Sequence, residues 1–188
     1  KLYRVDSNRE HPTLTALNLP VGMEGLTAMA DSTVMLIGRD GYLYQIDWQA
    51  KKLAQISEQS TFDLMNKTQK EADELNRPHP TAIAIASLKD GVAVLYPEYL
   101  LVWAYQNHKL GDCIANIRLN SILQTTDNQN DNALTINQAT TLAVSSDGNW
   151  LVVGDSQGLV SSFHVNAERT AILHSSSELL HQGAVTAL

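Results

Sequence analysis

The sequence predicts an all-β fold of repeated four-stranded antiparallel units, and three observations carry that prediction. First, an aspartate-centred turn follows a short apolar run at Asp31, at Asp90-Gly91 and at Asp147-Gly148, with intervals of 59 and 57 residues. A near-constant interval marks a chain assembled from one recurring supersecondary unit. Second, each turn leads into a run almost continuous in apolar residues, as strands covered on both faces require. Third, two of those runs end in glycine-bearing turns, 38–41 and 154–158, where glycine supplies a positive φ without a Cβ clash.

The elements follow in order from these markers. Residues 2–5 and 13–19 read as the third and fourth strands of an incomplete unit. First strands are expected over 26–30, 81–86 and 141–145, and second strands over 33–37, 92–95 and 150–153. The third strands align from the turn glycines. Leu43, Ile46 and Trp48 stand two, five and seven positions after Gly41, as Val160, Phe163 and Val165 do after Gly158. Fourth strands are expected over 52–57, 111–119 and 170–174, more polar because edge strands tolerate it. Residues 183–188 read as the first strand of a further unit.

Two insertions lengthen the repeat. In 61–80, Phe62, Met65, Ala72 and Leu75 fall near one helical face and prolines close the segment, which predicts a short amphipathic helix. In 120–138, the run TTDNQNDN predicts an exposed polar loop. Repeated four-stranded antiparallel sheets are the blades of a β-propeller, in which several blades surround a channel. The limits are 1–20 (partial), 25–57, 81–119, 139–175 and 183–188 (partial), giving about three full blades plus partial ones. An ordinary ring needs more, so further blades are expected from a longer parent chain or an oligomeric partner.

Residues 142–148, 151–155 and 158–160 together resemble a WD40-type propeller repeat, and His181, four positions before Val185, resembles the histidine that opens such a unit. The Trp-Asp ending is absent: Asp47-Trp48 has the opposite order and Phe163-His164 occupies the corresponding place. Residues 41–47, followed by Lys52-Leu53, are similar to a quinoprotein-type repeat, which by itself implies no bound quinone. The WD40-type resemblance implies a rigid platform that presents loops to proteins or peptides.

Composition narrows the functional classes. A net charge of −7 opposes general attraction to nucleic acid or anionic membrane. Cys113 has no second cysteine with which to form a disulfide or redox pair, and reads as a buried strand residue. No apolar run reaches the roughly 18 residues that span a bilayer. The histidines are dispersed, no Gly-x-Ser-x-Gly elbow appears, and no phosphate-cradling glycine motif precedes a helix. The expectation is a cytoplasmic, non-enzymatic scaffold within a larger assembly, with no catalytic, cofactor or metal residues and a protein as partner. Its candidate partner-binding residues are Arg39, Asp40, Phe62, Met65, Leu75, Tyr96, Glu98, Asp155 and Gln157. The alternative is a propeller enzyme or small-ligand module whose site is assembled from scattered loops.

Overall fold

Short aspartate-closed turns keep successive strands antiparallel and adjacent, and the sheet order follows from them. The computed structural model describes residues 1–6, 13–67, 79–119, 138–166, 168 and 170–188. A two-stranded hairpin of β1 (Leu2–Asp6) and β2 (Thr13–Leu17) comes first. Three four-stranded antiparallel sheets follow, each in chain order. The first contains β3 (Met23–Ala28), β4 (Val34–Gly38), β5 (Leu43–Asp47) and β6 (Lys52–Gln55). After helix α1 (Thr61–Lys67) comes the second, with β7 (Ala84–Leu88), β8 (Gly91–Leu95), β9 (Tyr99–Gln106) and β10 (Lys109–Arg118). The third contains β11 (Ala139–Val144), β12 (Trp150–Asp155), β13 (Leu159–Val165) and β14 (Ile172–Leu179).

The recurring aspartates shape the turns in which they stand. Asp31 Oδ1 accepts the Thr33 N–H at 2.9 Å, and Asp147 Oδ1 accepts the Asn149 N–H at 3.1 Å. A carboxylate bonding the backbone two residues on mimics a backbone turn and lets the chain reverse in few residues. Gly41, Gly148 and Gly158 take φ values of 78°, 68° and 98°, which only glycine adopts freely.

The second strands are apolar throughout because both of their faces are covered. On β8, Val92 and Val94 belong to one core, shared with Met35, Ile37 and Leu43 of the first sheet, while Ala93 and Leu95 belong to another, shared with Leu151, Val153 and Phe163 of the third. Side chains alternate across a strand, so a two-sided core needs an unbroken apolar run. β3 packs beside β7, and β7 beside β11, so the first strand of each sheet is the innermost. These are propeller blades, about three of them.

The structure departs from expectation at the edges. β14 runs on to Leu179 because serine hydroxyls join across the ladder, Ser161 to Ser177 at 2.7 Å and Ser162 to Ser176 at 2.8 Å. An apolar pattern does not register such pairs. Residues 183–188 form no strand; Val185 is buried at 4% exposure, and its N–H reaches the Asp155 carbonyl at 2.9 Å. Trp103 is 3% exposed, whereas Trp150 is 38% exposed and leans on the His164 ring at 4.6 Å. The predicted helix is described over Thr61–Lys67 only; Ala72, Leu75 and residues 120–137 of the second insertion lie outside the described residues.

Candidate functional site

The innermost strands fix the direction of every loop. The C-terminal ends of β3, β7 and β11 line one open cleft of about 550 Å³ through Met29, Leu88, Lys89, Ser145 and Asp147, so these strands run the same way. The β4–β5, β8–β9 and β12–β13 connections therefore all emerge at the opposite end. That end gathers Arg39 and Asp40 from the first blade, Tyr96 and Glu98 from the second, and Asp155 and Gln157 from the third.

Hydrogen bonds hold this loop face in place. Each blade's loop offers a carbonyl to the chain entering the next segment: Gly41 to Thr61 N–H at 2.8 Å, Pro97 to Ala139 N–H at 2.8 Å, and Asp155 to Val185 N–H at 2.9 Å. The Glu98 carbonyl accepts the Leu119 N–H at 2.8 Å, and the Ser156 N–H donates to the Gln138 carbonyl at 2.9 Å. Asp40 shapes its own turn, accepting the Tyr42 N–H at 3.2 Å and the Tyr44 hydroxyl at 2.6 Å. Burial, then that bond to Asp40, pushes the Tyr44 phenol up to about 12, so it stays a donor.

Helix α1 sits on this face because its sequence supplies a cap and an apolar stripe. Ser60 Oγ accepts the Asp63 N–H at 3.1 Å, satisfying one of the donors that a helix start leaves open. Phe62 and Met65, three residues apart, point inward at 7% and 4% exposure. Phe62 stacks on His79 with ring centroids 4.1 Å apart and meets Tyr96 edge-on at 6.2 Å. Thr61 Oγ1 and the Tyr96 hydroxyl lie 2.7 Å apart, and burial raises that phenol's pKa. Asn116 Nδ2 donates to the Leu64 carbonyl at 2.6 Å and ties the helix to β10.

The candidate residues divide by accessibility. Arg39 and Gln157 are exposed, and Asp40 and Glu98 are half-buried. Phe62, Met65 and Tyr96 are consumed by the chain's own core, and Asp155, 1% exposed, receives the Gln157 and Leu159 N–H groups at 2.8 and 2.9 Å. Their buried side chains therefore shape the face instead of forming its contact surface. Leu75 lies outside the described residues.

Sequence reading missed a bridge between blades at the other end. Asp31 Oδ2 accepts the Tyr105 hydroxyl at 2.9 Å and lies 2.6 Å from His108 Nδ1. Burial opposes ionisation of Asp31, but bonds from Thr33 and Tyr105 and the nearby His108 outweigh it and lower the pKa. The partners stand 74 and more residues apart in the chain, so no local pattern could pair them. Cys113 is half-buried on β10; its thiol donates to the Ala115 carbonyl at 3.2 Å, and burial raises its pKa. Among the described residues, no helix is long and apolar enough to cross a membrane.

No protein-family model matches the chain, and no curated protein sequence does. Solved structures do. Saccharomyces cerevisiae Sqt1 is similar at 9% identity with a TM-score of 0.59, over 87% of this chain and 37% of that one. The Dos1 propeller is similar at 12% identity and a TM-score of 0.53, over 84% and 34%. A putative 6-phosphogluconolactonase from Bacteroides uniformis is similar at 9% identity and a TM-score of 0.57, over 94% and 50%. The chain thus spans from about a third to half of the length of these proteins. The fold is a β-propeller fold of four-stranded blades.

The last of these similarities corrects one expectation. The lack of a catalytic motif in the sequence predicts a protein without enzymatic activity, yet the same architecture is found in a putative lactonase. Propeller sites draw on loops from several blades, so a linear motif is a poor guide to whether one exists.

Proposed function

We propose that this chain is the scaffold portion of a propeller that binds a protein partner on its loop face, within a larger assembly. The observation that carries the reading is the convergence of the β4–β5, β8–β9 and β12–β13 connections, with α1, on one end of the blades. Loops locked by main-chain hydrogen bonds lose little entropy on binding, which favours a preformed recognition surface. Arg39 and Gln157 supply its exposed polar contacts, with Asp40 and Glu98 beside them. The full blades are the sheets within 23–55, 84–118 and 139–179, and the hairpin within 1–20 is read as part of a further blade. The remaining blades come from a longer parent chain or an oligomeric partner, a reading supported by the fraction of each similar structure that the chain spans. A cytoplasmic setting belongs to the same proposal.

Affinity capture with the triple variant Arg39→Ala, Glu98→Ala, Gln157→Ala tests the proposal. Partners held by the native chain should be lost, while a control variant on the outer strands, Lys109→Ala with Glu178→Ala, retains them. An unchanged set of partners in the triple variant would refute the loop face as the binding surface.

A second reading, chemistry or small-ligand binding on the same scaffold, is favoured by the similarity to a putative lactonase. Thermal-shift screening against metals, sugars and phosphorylated lactones tests it, because a ligand that binds only the folded state raises the melting temperature in a saturable way.

A further inference from the structure

Between the 56–59 segment that follows β6, Leu64 of α1, and strands β9 and β10 of the second blade lies a cleft of about 260 Å³. Its lining is mainly polar, with the Glu58 and Asp112 carboxylates beside Ser57 and Gln59, and Ile56, Leu64, Trp103 and Leu110 form the smaller apolar part. The volume falls below the several hundred Å³ typical of a drug-sized ligand and suits one long side chain.

We infer that this cleft receives an arginine side chain presented by a protein partner. The smaller apolar part of the lining suits the aliphatic stem, and the carboxylates suit the guanidinium, which binds carboxylates through paired, charge-assisted hydrogen bonds. Charge complementarity decides the occupant. Both Glu58 and Asp112 are exposed, among the described residues neither is paired with a cation, and the whole chain carries a charge of −7. The nearby Lys67 donates to Gln59 at 2.8 Å, and Gln59 lines both this cleft and the adjoining shallow one that Lys67 shares with Asp63 and Asn66.

The backbone at Asp112 is itself irregular. Register shifts between Leu110 and Cys113 leave Gly111 and Asp112 out of the ladder with β9. A bulge re-aims side chains that a regular strand would place by strict alternation. Here it puts Asp112 on the cleft beside its chain neighbours Leu110, Gly111 and Cys113.

The site goes beyond the loop-face reading and borders that face through α1, but it shares none of Arg39, Glu98 and Gln157, so either can fail alone. The test is a nuclear magnetic resonance titration with acetyl-arginine-amide, following the Gly111 and Asp112 amides and the Trp103 indole N–H. Saturable shifts at these three positions are expected, with acetyl-citrulline-amide, which is neutral and similar in shape, weaker by about fivefold or more. Glu58→Gln with Asp112→Asn should weaken arginine-amide binding by about the same factor, and added salt should weaken it in the native chain. Asp63→Asn and the loop-face triple variant should leave it unchanged. Equal affinity for citrulline in the native chain, absence of shifts at the cleft, or an equal loss in Asp63→Asn would overturn the assignment.

Discussion

At the scale of single residues, the turns concentrate the constraints. Gly158 adopts φ 98°, and a Cβ built there would lie 2.0 Å from the His181 carbonyl oxygen. Gly183, by contrast, has nothing within 4 Å of such a carbon. Gly158→Ala should therefore cost about 2 kcal/mol or more in urea unfolding, combining backbone strain with a backbone clash, while Gly183→Ala stays near neutral. Equal effects of the two would contradict the packing described for the β12–β13 turn. Asp147 gives a second prediction. Bonds from the Ser145 hydroxyl and then from Asn149 hold its carboxyl down to about 2, against an ordinary 3.8. The sign follows from linkage: a carboxylate depressed in the folded state contributes stability above pH 3.8 that is lost as pH falls towards 2. Ser145→Ala should raise the Asp147 pKa towards 3.8 in a carboxyl titration, and an unmoved midpoint would remove Ser145 as the cause.

At the scale of elements, α1 shows how a local pattern is redirected by packing. Phe62 and Met65 announce an apolar helical face in the sequence, but the sequence is silent on whether that face meets a partner or the chain's own blades. The answer depends on Tyr96 and His79, which only the fold brings to Phe62. Replacing Phe62 with Ala removes a buried ring and leaves a cavity, so unfolding by urea should show a loss of about 3 kcal/mol. A loss under about 0.5 kcal/mol would place the helix off the blade. Strands were legible for the opposite reason, since the two-sided core of β8 and the aspartate turns both leave local marks. β14 was only half legible, because its last residues are joined by serine hydroxyls, which carry no hydrophobic period. Residues 183–188 carry an apolar pattern without pairing as a strand, and Val185 is buried instead against the β12–β13 turn.

At the scale of the molecule, the repeat interval translates into three sheets whose first strands lie side by side. That architecture was readable because each blade restates it. The candidate site was readable only in part: Arg39, Asp40, Glu98 and Gln157 do share one end of the molecule, since equivalent loops of successive blades must. The side chains buried beneath that face, the Asp31–His108 bridge and the cleft beside α1 join residues from different blades, and a single sequence gives no sign of such meetings. We propose the loop end of the blades as the recognition surface. Hydrogen–deuterium exchange of the chain with and without its captured partner tests it most directly. Protection should concentrate over 38–42, 96–98 and 155–158, and protection confined to the turns at 29–33, 89–90 and 145–149 would rule out the loop end as that surface.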